Sequence, residues 1–189
     1  MKLFIILFYL IYSISALASS EIKVAGLLGL RSSQTDTDIR GATTSTRTSF
    51  QFGALALFPI VSNIEIRSGF IYSQRYTEIK NVPQQGVVTV DYSYFDVPLT
   101  LGYRFGDAAL AFAGPVVAFN QSREVDCSLQ VGCSAINVES VLLPLQIGIN
   151  FKFLPQAGAE VYYEYISGSL SSNVENMRTV GANFIFYFE

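Results

Sequence analysis

The sequence predicts an all-β fold: an eight-stranded antiparallel up-and-down transmembrane β-barrel. Three observations lead there. The first is a side-chain period of two, clearest in "LLPLQIGINFKF" at 142–153, where Leu143, Leu145, Ile147, Ile149, Phe151 and Phe153 alternate with Pro144, Gln146, Gly148, Asn150 and Lys152. Successive side chains of a strand point to opposite faces, so this segment has one apolar face and one polar or small face. The second is composition: 50% of residues are hydrophobic and only 14% charged, against a usual charged fraction of about 25%. Beyond the first residues no apolar run approaches the roughly 18 residues of a spanning helix, and alternating membrane strands give this combination. The third is the order of the connections. Long polar linkers ("SSQTDTDIRGATTST", "TEIKNVPQQG", "QSREVDCSLQVGCSA", "SGSLSSNVENM") alternate with short ones ("PIVSN", "FGDA", "LPQA"), the asymmetry of barrels with short turns at one end and longer loops at the other.

The chain opens with "MKLFIILFYLIYSISALASSE". One Lys, an apolar run from Leu3 to Tyr12, and Ala16 and Ala18 in an A-x-A arrangement make residues 1–18 a secretory signal peptide, cleaved after Ala18, with residues 19–189 as one barrel domain. An N-terminal membrane anchor is the alternative; no Cys follows the cleavage site to support a lipid anchor.

Eight period-two runs bounded by turn residues follow: Glu21 to Arg31, Arg47 to Phe58, Ile64 to Tyr76, Val88 to Arg104, Ala108 to Asn120, Ile136 to Phe153, Gly158 to Ser167 and Arg178 to Phe188. Most reach the 9 to 11 residues that a tilted strand needs to cross a bilayer. In the third, Glu65, Arg67, Gly69, Ser73 and Arg75 oppose Ile64, Ile66, Phe70 and Tyr72. In the fourth, Asp96, Thr100, Gly102 and Arg104 oppose Val97, Leu99, Leu101 and Tyr103. In the seventh, Glu160, Tyr162 and Glu164 oppose Val161, Tyr163 and Tyr165. The fifth, "ALAFAGPVVAFN", suits either facing, because Ala, Val and Phe occupy both parities. Pro98, Pro115 and Pro144 fall inside strands, where each removes a ladder donor, so local bulges are expected there. Tyr72, Tyr76, Tyr92, Tyr103, Phe105, Phe151, Phe153 and Tyr187 crowd near strand ends, as expected of aromatic girdles at membrane interfaces.

The charges decide which face meets which solvent. A soluble barrel of the lipocalin kind turns its apolar face inward and carries more surface charge than these strands offer. A membrane barrel instead encloses Glu65, Arg67, Arg75, Asp96, Arg104, Lys152, Glu160 and Glu164, where opposite signs can pair across the lumen. Tyr162, Arg67, Lys152 and Gln146 then fill an interior that eight strands leave just wide enough for side chains. Free solute flow is not expected.

Catalytic material is sparse. The chain has no His, which removes the usual general base and the commonest metal ligand. Glu160 and Glu164 share a face on the order of 13 Å apart at roughly 3.3 Å per residue, too far for glycosidic chemistry and suited to pairing with lumen cations. "GLLGLRSS" lacks the ending of a phosphate loop, and its glycines read as relief of crowding. No cofactor, metal or enzymatic activity is expected. The formal charge of -3 gives no basic patch for nucleic acid. Cys127 and Cys133 are placed to close a small loop by a disulfide in an exported protein; two free thiols is the other reading.

Across Tyr94 to Gly106, "YFDVPLTLGYRFG" resembles outer-membrane β-barrel proteins of the PorT-like and OmpX-like type, with an aromatic, an acid, an aliphatic and a Pro before an alternating strand that ends in a Tyr and a turn. "GANFIFYFE" is similar to the C-terminal strand signal of that class, Phe184, Phe186 and Phe188 being the alternating aromatics, although Glu189 follows where the pattern ends on the aromatic. The resemblance implies a bacterial outer-membrane location, surrounding lipid and the barrel-assembly machinery as partners, and no single activity. Barrel enzymes that modify lipid A rely on a His this chain lacks. The expected role is structural or interactive: membrane integrity, adhesion, or recognition of an external protein or glycan by four exposed loops. A narrow channel through the lumen is the alternative, and soluble lipid binding a third.

Overall fold

The computed structural model describes residues 22–82, 86–128, 139–171 and 174–188. Residues 1–18, expected to be a signal peptide, and Cys133 lie outside the described residues, as does the Cys127 side chain, and so does the expected disulfide.

Ten strands follow in order: β1 (Lys23–Thr37), β2 (Thr43–Ser45), β3 (Arg47–Val61), β4 (Ile64–Val82), β5 (Gly86–Phe105), β6 (Ala109–Cys127), β7 (Val141–Leu142), β8 (Leu145–Leu154), β9 (Ala157–Ser171) and β10 (Val174–Phe188). Eight of them close a ring. β1 pairs with β3 on one side and β10 on the other, and β3, β4, β5, β6, β8, β9 and β10 pair in turn, all antiparallel. Closure removes every free sheet edge along the wall, the condition for backbone in hydrocarbon. The short β2 and β7 add to β4 and β6.

At one end, the turn end, the connections are tight: Ser62 with Asn63, Gly106 to Ala108, and Pro155 with Gln156. Gly106 sits at a φ of 66°, which a side chain would strain. β1 starts and β10 finishes at this end. The other, the loop end, carries the longer connections.

Side-chain facing follows parity on every strand. Leu28, Leu30, Phe70, Leu101, Leu145 and Ile147 point outward, all exposed by more than half. Arg31, Arg67, Arg75, Asp96, Glu160 and Glu164 point inward and are buried. A contiguous apolar surface on this scale is not tolerated in water and matches a lipid-facing belt. The ambiguous β6 is settled: Leu110, Phe112, Val116 and Ala118 face in, while Ala113, Pro115 and Phe119 face out.

Four expectations need correction. The linkers "TEIKNVPQQG" and "SGSLSSNVENM" are largely strand, since β4 runs on to Val82 and β9 to Ser171, and β6 continues to Cys127. Their alternating Thr, Ile and Val suit a pleat, and their inward members build a core at the loop end. The bulges are not at the prolines. β5 and β6 keep one register across Pro98, and β6 keeps one register from Pro115 through Leu142; only hydrogen bonds are omitted, and the Val116 N–H reaches the Pro144 carbonyl at 2.8 Å. Pro144 does divide the expected sixth strand into β7 and β8. Register shifts fall instead near strand ends and at Ser93/Tyr94. Tyr92 and Tyr187 are not girdle residues: their parity turns them into the lumen. Finally, the lumen is layered rather than polar throughout. Ala25, Leu27, Leu55, Ile71 and Ile185 form an apolar cluster toward the turn end, and Ile79, Val88, Val90, Tyr92, Tyr94, Leu142, Ile166, Val174 and Met177 form another at the loop end.

Candidate functional site

The lumen is where the charged side chains converge, and it is built in tiers. In the central tier Arg75 of β4 makes a bidentate pair with Asp96 of β5, Nη1 to Oδ1 at 3.0 Å and Nη2 to Oδ2 at 2.9 Å, and its Nη2 also reaches Glu164 Oε1 of β9 at 3.2 Å. Arg31 of β1 donates to the same Glu164 oxygen at 2.5 Å and lies 3.6 Å from Asp96 Oδ2. Ser73 donates to Asp96 Oδ2 at 2.8 Å, and the Arg75 guanidinium lies 4.7 Å from the Tyr94 ring centre. Two cations and two anions are thereby held together at exposures of 3% or less. Guanidinium forks match carboxylates in this geometry, and each charge has several partners to offset its desolvation.

The next tier toward the turn end joins four strands. Arg67 of β4 donates to Glu160 of β9, whose other oxygen accepts from Asn183 Nδ2 of β10 at 2.9 Å. Gln51 of β3 links Asn183 to the Tyr162 hydroxyl. The Arg67 guanidinium sits 3.8 Å from the Phe112 ring centre, a cation–π contact that desolvation strengthens. Two glycines make room for Tyr162: a Cβ on Gly181 would lie 2.2 Å from its ring, and one on Gly148 would lie 2.8 Å from its Cβ. Gly29 likewise faces Asn183, where a Cβ would fall 1.9 Å from Oδ1, while Gly26 lies under the Phe188 ring outside the lumen.

At the turn end Arg104 donates to Glu65, and Lys152 Nζ lies 4.9 Å from the Tyr187 ring centre. The Tyr187 hydroxyl donates to Asn150 Oδ1 at 2.7 Å. All eight charged residues singled out in the sequence therefore line one lumen, seven of them in ion pairs. Lys152 makes a ring contact instead. Arg31 was not singled out, because the first strand was expected to stop there; its parity with Ser33 and Thr35 was the available signal.

Between the central and second tiers remains a cavity of about 10 Å³, on the order of one water. Among the described residues no group of His, Cys, Asp and Glu is arranged to hold a metal ion.

Phe184, Phe186 and Phe188 all face outward, with Phe184 and Phe186 4.5 Å apart and Phe153 5.9 Å from Phe184. Tyr103 and Phe105 extend this aromatic band at the turn end, and Phe50, Phe52, Tyr72 and Phe95 form a second band nearer the loop end.

No protein-family model matches the chain, and neither does any curated protein. Solved structures do. The outer membrane protein OprG of Pseudomonas aeruginosa is similar over 89% of this chain and 95% of its own, with a TM-score of 0.54 at 13% identity. Neisserial surface protein A is similar over 89% of this chain and all of its own, with a TM-score of 0.54 at 15% identity. The outer membrane protein AlkL, determined in lipid bilayers, is similar over 90% of this chain and 92% of its own, with a TM-score of 0.50 at 13% identity. At such identities the likeness concerns the fold, and the fold is that of small outer-membrane β-barrels.

Proposed function

We propose that the chain is a bacterial outer-membrane barrel with a structural or surface-interaction role, its lumen closed by side chains and its contacts made by the loop end. The packing of side chains inside the lumen supports this reading. Tiers of paired charge and two apolar clusters occupy the interior, and the gap between the central and second tiers holds about 10 Å³, on the order of one water. On this reading the turn end faces the periplasm and the loop end the exterior, and the protein is not an enzyme.

The loop end supports an interactive role. Strands β4, β5 and β6 run beyond the lipid-facing belt as a collar packed on Ile79, Val88, Val90, Tyr92 and Met177, so whatever the loops present is held on a stiff base. Stiffness lowers the entropy lost on binding. A protein or glycan at these loops fits the reading, and so do the PorT-like and OmpX-like motifs. Assembly by the barrel-assembly machinery draws on the outward aromatics Phe184, Phe186 and Phe188.

Planar-bilayer recording of the mature protein tests the proposal. The expected result is a silent membrane at every voltage. Discrete unitary steps whose size changes in Arg67→Ala or Lys152→Ala would replace the closed barrel with a narrow channel.

A further inference from the structure

Three prolines leave a seam of omitted bonds across one side of the wall. The Val116 N–H donates to the Pro144 carbonyl at 2.8 Å, so these two residues face each other as a hydrogen-bonded pair, which ordinarily exchanges a bond in each direction. Pro144 has no N–H to return. The Val116 carbonyl therefore lacks its ladder donor. The same register sets Pro115 opposite Leu99, between the pairs Pro98 with Val116 and Leu101 with Ala113. It also sets Pro98 opposite Gly69, between the pairs Ser68 with Leu99 and Ile71 with Asp96. Backbone groups alternate in direction along a strand, so the Leu99 and Gly69 carbonyls lose their donors in turn. Each of three neighbouring ladders, β4 with β5, β5 with β6, and β6 with the segment joining β7 and β8, omits a bond.

Lipid cannot supply what is missing. The outward side chains along the seam, Phe70, Leu99, Leu143 and Leu145, are apolar and exposed on the belt, and hydrocarbon offers no hydrogen-bond donor. A donor has to come from the lumen.

The cavity of about 10 Å³ lies on the lumen side of this seam, where Pro98, Thr100, Val116 and Gln146 line it. Arg67 lines it too. That residue is 4% exposed, its Nη2 is used on Glu160, and its Nε and Nη1 have no hydrogen-bond partner among the described residues. Unpartnered donors and a carbonyl short of a donor thus border one chamber whose volume is about that of a single water, a molecule that both donates and accepts. A charged ligand does not fit. Asp96, Glu160 and Glu164 also line the chamber, and each is already paired with a guanidinium. An added anion would meet these carboxylates, and an added cation the N–H groups of Arg67.

We propose that this cavity binds one structural water molecule, which accepts from Arg67 Nη1 and donates to the Val116 carbonyl, with Thr100 and Gln146 supplying its remaining polar contacts. The water replaces the donor that Pro144 lacks and ties the interrupted wall at β6 to the charge network of the lumen. The inference rests on the membrane-barrel reading of the preceding section, since a wall surrounded by water would have its carbonyls solvated from outside.

A crystal structure of the mature protein grown in a lipidic phase, at a resolution that shows ordered water, tests it, together with a second crystal soaked in bromide. The expected result is one peak in the cavity, within about 3.2 Å of both Arg67 Nη1 and the Val116 carbonyl oxygen, with no anomalous bromide signal. Arg67→Met with Glu160→Gln removes the donor without stranding a buried carboxylate, and the peak is expected to be lost there. A closed ring whose cavity shows no peak, an anomalous signal at the peak, or a peak that persists in the double variant each overturns the proposal. Should the double variant not fold, the two wild-type crystals still decide. An open sheet in place of the closed ring would sink the barrel reading, whereas a closed ring with a dry cavity sinks the water alone.

Discussion

Glu164 carries more of the lumen than any neighbour, because one of its oxygens accepts from both Arg31 and Arg75. Removing it leaves two buried guanidiniums to share Asp96. Glu164→Ala is expected to cost about 3–5 kcal/mol of unfolding free energy, the range for breaking one side of a buried ion pair. Urea unfolding from liposomes measures it, and a loss under about 1 kcal/mol would mean that solvent or rearrangement compensates. Gly181 is a packing counterpart. A side chain there meets the Tyr162 ring, so Gly181→Val is expected to lose about 1–3 kcal/mol by overpacking and Gly181→Val with Tyr162→Ala to recover part of it. Asp91 behaves oppositely. Its folded-state carboxyl titrates above its unfolded value, so the folded chain holds that proton more tightly, and stability present at low pH is lost as pH rises through the folded value. Arg47 of β3, Tyr76 and Glu78 of β4, and Glu124 and Asp126 of β6 surround it. Asp91→Asn is therefore expected to raise the melting temperature near neutral pH, with the gain fading below about pH 4. A gain that persists in acid would point to packing rather than charge.

For the elements, the β4 and β5 hairpin and the far end of β6 set the shape of the loop end. Their inward residues Ile79, Val88 and Val90 are at most 2% exposed, which makes the collar a packed structure and not a loop. Amide hydrogen exchange is expected to be slow for residues 77–80 and 88–92, comparable with the lipid-facing wall; Val90→Asp is expected to release that protection while the barrel still migrates as a heat-modifiable band. The sequence showed why these strands exist but not where they stop. Alternation in "GINFKF" or "EVYYEY" has a polar and an apolar side and can be read directly, whereas in "TEIKNV" Glu78 and Lys80 face out while Thr77 and Ile79 are buried, the reverse sense, because above the membrane the outer face meets water. The same reversal placed Tyr92 among the girdle aromatics. Proline was misjudged for a related reason: it removes a donor, but a wall paired on both sides tolerates an omitted bond without a register shift.

As a whole the molecule is two solvent problems solved by one ring. Along the belt the apolar side faces out and the ion pairs face in; at the loop end the arrangement inverts within the same strands. Most of the eight charged residues that parity assigned to the interior could be read from sequence because they sit between apolar neighbours of the opposite facing, as Glu65, Asp96, Lys152 and Glu160 do, and the apolar clusters around them could not, since "AGLLGL" is apolar on both faces. How far Arg31, Arg75, Asp96 and Glu164 converge depends on closure, which no single strand encodes.

The most direct measurement scans β8 in liposomes. In a Cys127→Ser, Cys133→Ser background, single cysteines are placed at 145 through 153 and labelled with a fluorophore, and quenching by a nitroxide attached to lipid chains is recorded. Strong quenching at 145, 147, 151 and 153 with little at 146, 150 and 152 is the predicted pattern. Quenching at the even positions with the odd ones protected would contradict it.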